Sequence, residues 1–226
     1  PSGGYGYHYD GSDVNFIPLK FSPSHNMVAF TVSFWVRRKT TPTAVGAYAI
    51  ACLSDGSRWR ITSVLDVLSH AASGAAITSS VALNDHKWHM LTQTYNNVTG
   101  IQSLYIDGIL IGTRTEGISL VGGFFGFLSN AVANFHCSYT QIKDISVHRV
   151  CLPIDKVKAI YAGNIPQAGL DIYCPLNEKV ITAAMRPLNY AYNSEVLEVN
   201  TGGFTSIDVK SEIEVSAKEL YVDGNS

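Results

Sequence analysis

Between Lys87 and Thr113 the chain reads KWHMLTQTYNNVTGIQSLYIDGILIGT. Trp88 to Tyr95 is a run of aromatic and β-branched types, which suits a pleated, half-buried strand. Asn96 to Gly100 supplies turn chemistry, and Gln102 to Ile106 forms a second run. Asp107-Gly108 follows, a pair that tolerates the positive φ of a two-residue hairpin turn, and Ile109 to Ile111 return. Three successive antiparallel strands make a meander. A meander in water needs a second layer against its apolar face, so this stretch commits the chain to a layered β structure.

The rest of the sequence supplies further strands. In FTVSFWVRR, Phe30 to Arg38, the residues Phe30, Val32, Phe34 and Val36 share one face and Thr31, Ser33, Trp35 and Arg37 the other, which is the signature of a strand packed by one side. Trp35 therefore points away from that core, to cover a second layer or line a groove. Short strands are also expected at Tyr7–Tyr9, Val14–Phe21, Ala47–Leu53, Trp59–Leu65, Ala76–Thr78, Tyr139–Val150, Gly169–Leu176 and Tyr190–Val199. Pro18 marks an edge or bulge, and Asp10-Gly11 and Ser54-Asp55-Gly56-Ser57 mark turns. Pro153 to Tyr161 has helical spacing, with Val157, Ile160 and Tyr161 on one face and Gly163 where a helix end favours glycine. One short helix among many strands is an all-β arrangement. A boundary is expected near Thr201-Gly202-Gly203, dividing a domain over 1–200 from a β-rich extension over 201–226 that serves as an assembly contact.

Composition excludes several classes of function. The 226 residues have a net charge of −2, and Arg37-Arg38-Lys39 is the one cationic cluster, so no electrostatic footprint for nucleic acid exists. No apolar run is long enough to span a bilayer, and Pro1 onward is not expected to be a signal peptide. Cys52, Cys137, Cys151 and Cys174 form no C-x-x-C pair and are expected as small buried residues. Charged residues make up only 15% of the chain and tyrosines number twelve, a balance that favours an extracellular or virion surface.

In order along the chain, Tyr9, Asp10 and Gly11, then Phe30, Thr31, Trp35 and Val36, then Trp88, His89, Thr94 and Tyr95, then Tyr105, Asp107 and Gly108 are followed by Ile142, Asp144, Ile145 and Leu152 and a helix over Asp155–Ala162. This series resembles the laminin-G-like, or concanavalin A-like, jelly-roll family of lectins and glucanases over about Tyr5 to Asn200. The resemblance implies a two-sheet antiparallel jelly-roll sandwich, one sheet curved, with binding loops at one rim. Lys143 stands where the family's later motif carries its first acid. The last residues, SEIEVSAKELYVDGNS, look like the closing segments of phage tail and appendage proteins, which implies membership of a larger assembly.

Glycoside hydrolysis needs two carboxylates flanking a cleft, about 5–9 Å apart. The main body lacks an E-x-D-x-x-E strand, and no G-x-S-x-G elbow is present, so catalysis is not expected. Sugar binding needs an aromatic face with amide or carboxylate partners. Trp35, Trp59, Tyr139 and His136 are the aromatic candidates, with Asn130 and Asn134 as polar partners, although ordinary packing is the simpler role for each. Asp13, Asn15, Asp85 and Asn134 are oxygen donors that calcium would require to converge from separate loops. His89 reads as a packed strand residue, and Asp10 and Asp107 as turn residues bonding nearby amides. Asn97-Val98-Thr99 is a glycosylation sequon in form. The expected function is a non-catalytic recognition module for carbohydrate on a virion appendage or cell surface, with glycan or a host receptor and neighbouring subunits as partners. A purely structural module and a glycoside hydrolase or lyase are the alternatives.

Overall fold

The computed structural model describes residues 6–9, 19–22, 27–38, 48–53, 58–61, 67–70, 77–79, 81, 83, 85–115, 117, 125–127, 140–176, 189–191, 197–199 and 204–207. The meander is present: β8 (His89–Asn96), β9 (Ile101–Ile106) and β10 (Ile109–Thr115) pair in sequence. Asp107 and Gly108 turn the second hairpin at φ 53° and 76°, the mirror-image geometry that strand twist favours. β3 (Ala29–Arg38) lies against β8, and β12 (Thr140–His148) lies against β3. β1 (Gly6–Tyr9) and β15 (Phe204–Ile207) complete this first sheet in the order β10-β9-β8-β3-β12-β1-β15, and β13 (Leu170–Cys174) also pairs with β12. The second sheet runs through β14 (Leu197–Val199), β2 (Leu19–Phe21), β11 (Phe125–Phe127), β4 (Tyr48–Leu53), β5 (Arg58–Ile61), β6 (Val67–His70) and β7 (Ile77–Ser79). Both sheets are antiparallel, as a jelly-roll sandwich requires.

Period-two alternation fixes which side chains meet between the sheets. Phe30, Val32, Phe34 and Val36 of β3 are buried with Leu91, Tyr95, Leu104, Ile106, Ile142, Ile145 and Val147. Phe30 meets Phe125 edge-on at 5.1 Å, and Phe34 meets Phe127 at 5.3 Å, so β11 is the layer the meander needed. β11 sits where the sequence showed only a glycine-rich apolar stretch. β6 was likewise unexpected, and of the run expected over Val14–Phe21 only β2 lies within the described residues. β15 carries the first sheet past the boundary expected at residue 200, since it pairs with β1 from Phe204 to Ile207. The remainder of that extension, 208–226, lies outside the described residues.

The opposite face of the first sheet carries a second, smaller core. Trp35, Met90 and Tyr105 project there and are covered by Leu152, Val157 and Ile160. Val157 and Ile160 belong to α1 (Ile154–Tyr161), eight residues within the Pro153–Tyr161 stretch that the spacing indicated. Pro153 opens α1 in an extended conformation, and its carbonyl accepts from the Lys156 and Val157 amides. Gly163 closes it at φ 90°: its N–H donates to Ile160, and that of Asn164 donates to Ala159. That pairing is a Schellman motif, which needs a left-handed residue at this point.

Candidate functional site

A cavity of about 190 Å³ lies where the end of α1 meets the outer face of the first sheet, lined by Trp35, Asp144, Ile160, Tyr161, Ala162, Gly163, Ile165 and Tyr173. β12 creates the space. Its neighbour changes along its length: β1 pairs with Thr140–Ile142 and β13 with Ile145–His148. Between these two segments the register to β3 shifts by one residue, and Asp144 takes a left-handed φ of 50°. A bulge of this kind re-aims a side chain, and aspartate is among the few non-glycine residues that adopt this conformation readily. The Asp144 amide donates to the Pro175 carbonyl at 3.1 Å, which ties the bulge to the end of β13.

Trp35 forms the buried base of the cavity, 8% exposed, with Tyr161 stacked on it at 5.5 Å and 20° between planes. Tyr161 is 41% exposed, so the aromatic lining reaches solvent beside the exposed Ala162 and Gly163. Tyr173 stands on the β13 side, edge-on to the exposed Tyr190 at 6.3 Å. Asn189 holds that wall: its side-chain oxygen accepts from the Tyr173 and Ala191 amides, and its nitrogen donates to the Asp171 carbonyl.

Asp144 is the one acid among the described residues of the lining. Among the described residues its carboxylate accepts no hydrogen bond, and its nearest cation is Lys143 at 4.0 Å, beyond hydrogen-bonding range. Burial raises the Asp144 pKa, with the Lys143 charge and then that of the N-terminal amine opposing. Burial also lowers that of Lys143, whose amine lies 4.8 Å from the Trp88 ring centroid, with the Arg37 guanidinium over the same ring at 5.5 Å. The Tyr173 hydroxyl is shifted up by burial and then by the Asp144 charge. The site is therefore a small aromatic recess with one acceptor-only group inside it.

Of the residues the sequence put forward for sugar binding, Trp35 is the one placed here. Trp59 lies on β5, opposite Ala51 and Ser69. Its side chain, like Tyr139, His136, Asn130 and Asn134, lies outside the described residues, as do Asp10, Asp13 and Asn15. Asp85 is in a second cluster. Its carboxylate accepts from the Lys87 amide at 2.9 Å and meets His89 Nε2 at 3.1 Å, while His89 Nδ1 meets Asp107 at 2.7 Å. Asp107 also accepts from the Met90 amide at 2.8 Å, the turn role expected of it. These contacts occupy Asp85. Among the described residues no group of three or more His, Cys, Asp or Glu side chains has the arrangement of a metal site. Cys174 is buried and Cys151 half-buried.

Sequence reasoning missed Asp144, Tyr161 and Tyr173 as a site. A signal for the first exists: Ile142, Ile145 and Val147 are all buried, and their spacing of three then two breaks strict alternation, which marks a bulge between them.

A family model described as the concanavalin A-like lectin/glucanases superfamily, of laminin G type, matches residues 13–134. The chain belongs to that superfamily. A search of the curated proteins finds no match. Among solved structures, a Bacteroides ovatus protein assigned to carbohydrate binding superposes with a TM-score of 0.65 at 13% identity, over 90% of this chain and 59% of its own. The heptameric SAP-like pentraxin of Limulus polyphemus gives 0.59 at 13% identity, over 90% of this chain and 94% of its own. The chain thus spans well under two thirds of the bacterial protein. At such identities the likeness is one of fold.

Proposed function

We propose that this chain is a non-catalytic carbohydrate-recognition module, and that the recess of Trp35, Tyr161, Tyr173 and Asp144 holds one sugar unit. The carrying observation is the pairing of an aromatic wall with a carboxylate that accepts no hydrogen bond among the described residues. A sugar ring presents C–H faces to aromatic rings and hydroxyls to such an acceptor. At about 190 Å³ the cavity is smaller than the ~300 Å³ at which drug-sized sites begin, so it suits a single ring or a chain end. Membership of a superfamily of lectins and glucanases and the Bacteroides ovatus neighbour support the binding reading. Hydrolysis would need a second carboxylate about 5–9 Å from the first, and among the described residues the lining supplies one acid.

A glycan array followed by titration of the best ligand tests this reading. Tyr161→Ala is expected to weaken that ligand at least ~10-fold, about the 1.4 kcal/mol of one lost stacking contact, while leaving the circular dichroism spectrum unchanged. Undiminished affinity in this variant, or no binding to any glycan, would end the proposal for this pocket.

The low charge and the ending SEIEVSAKELYVDGNS support a setting on a virion or cell surface, with glycan outside and sister subunits alongside. Antibody labelling of intact particles or cells tests the setting, and labelling that requires disruption would count against it.

A further inference from the structure

We propose that the sugar unit taken by this recess carries a free, protonated amine: the site selects an amino sugar over its neutral and N-acetylated counterparts. The inference rests on the saccharide reading above and adds the sign of charge. Two separate features of the recess are negative. The first is Asp144, which lines the cavity with open acceptor capacity among the described residues. The second is the last turn of α1, since Ile160, Tyr161, Ala162 and Gly163 form the opposite wall. A helix C-terminus carries about half a negative charge on its final carbonyls. Of these, Lys158, Ala159 and Ile160 are capped by Ala162, Gly163 and Asn164 amides, and the Tyr161 carbonyl accepts no hydrogen bond among the described residues. An ammonium group brings three donors and a positive charge to those acceptors, whereas an acetamide brings one donor and bulk.

The charges around Asp144 favour the same sign. Lys143 approaches one carboxylate oxygen at 4.0 Å but is held over the Trp88 ring and does not line the cavity. Arg37 lies over the same ring, 5.5 Å from its centroid. Tyr173 faces the carboxylate from β13, and burial together with the Asp144 charge favours its neutral hydroxyl. An ammonium within hydrogen-bonding distance therefore meets the carboxylate more closely than Lys143 does at 4.0 Å, and the N-terminal amine, whose charge also acts on Asp144, is the other cation it competes with. Because burial favours the protonated acid, amine binding weakens as pH falls through the raised Asp144 pKa.

Titration calorimetry of the full chain with glucosamine, N-acetylglucosamine, glucose and ethanolamine tests the inference. Glucosamine is expected to bind at least ~10-fold more tightly than N-acetylglucosamine at pH 7, and Asp144→Asn is expected to abolish that preference. Asparagine tolerates the left-handed φ at this position, so the bulge survives the substitution. N-acetylglucosamine or glucose binding as tightly as glucosamine, with sensitivity to Tyr161→Ala, would overturn the charge selectivity and leave the saccharide site standing. Ethanolamine binding without any sugar binding would sustain the cation site and overturn the saccharide reading. Binding of none of the four would overturn both.

Discussion

Two histidines show how one residue type takes opposite roles by environment. His89 sits between two carboxylates, and the hydrogen bond to Asp107, followed by that to Asp85, raises its pKa above 6.5 against the effect of burial. Burial lowers the pKa of His148, whose Nε2–H donates to the Pro166 carbonyl at 2.9 Å while Nδ1 has no partner. The signs follow from linkage. The stabilisation from His89 is fully present below pH 6.5 and declines as pH rises through its raised folded value. That from His148 is present above pH 6.5 and declines as pH falls through its lowered folded value. Urea midpoints measured from pH 5 to 8 are expected to show His89→Gln losing stability mainly on the acid side. A loss concentrated on the alkaline side would contradict the clamp. The W-H pair was legible as architecture, because a strand-borne histidine four residues after Asp85 and one residue before Met90 has turn acids within reach. The bulge at Asp144 was not legible, because its conformation depends on which strands flank β12.

At the scale of elements, α1 makes the site by covering the sheet face that Trp35 occupies. Its apolar stripe was readable from spacing, and Val157 and Ile160 are buried as expected, but Tyr161 lies at the edge of the stripe and reaches solvent. Ile160→Ala is expected to destabilise the fold by about 2–4 kcal/mol and to loosen the cavity wall together with Trp35. Gly163→Ala meets no steric obstacle, yet its φ of 90° makes a Cβ unfavourable by roughly 1–2 kcal/mol. Both values are measurable by chemical denaturation. Equal stability of Gly163→Ala and the parent chain would mean that the Schellman turn contributes nothing. Gly108 adds a steric link, because a Cβ there would lie 3.4 Å from Cβ of Tyr161, so the hairpin turn and the helix end pack as one corner.

At the scale of the molecule, the two sheets are joined by aromatic contacts that bury Phe30, Phe34, Phe125 and Phe127 almost completely. Phe34→Ala is expected to lower stability by about 3–5 kcal/mol, and a double-mutant cycle with Phe127→Ala to return a coupling of about 0.5–1.5 kcal/mol. A coupling near zero would mean that the layers are held by area alone. The proposed binding at the recess would use Asp144 and aromatic rings from the helix-covered face, so it is expected to persist in chelator; abolition by EDTA would move the site elsewhere.

By itself the sequence determined the strand faces, the meander and the position of the helix, because these follow from local periodicity and turn chemistry, and its ordered motifs carried the resemblance to the superfamily. It also placed Trp35 on the face opposite the main core. Only the tertiary structure decided what that face does. Trp35 and Tyr161 are distant in sequence and meet because α1 folds back across β3. Asp144 turns into the recess because β12 exchanges one neighbour for another at that residue. Such a site is a property of which elements are adjacent, and adjacency between distant segments leaves no period in the chain for a reader to find.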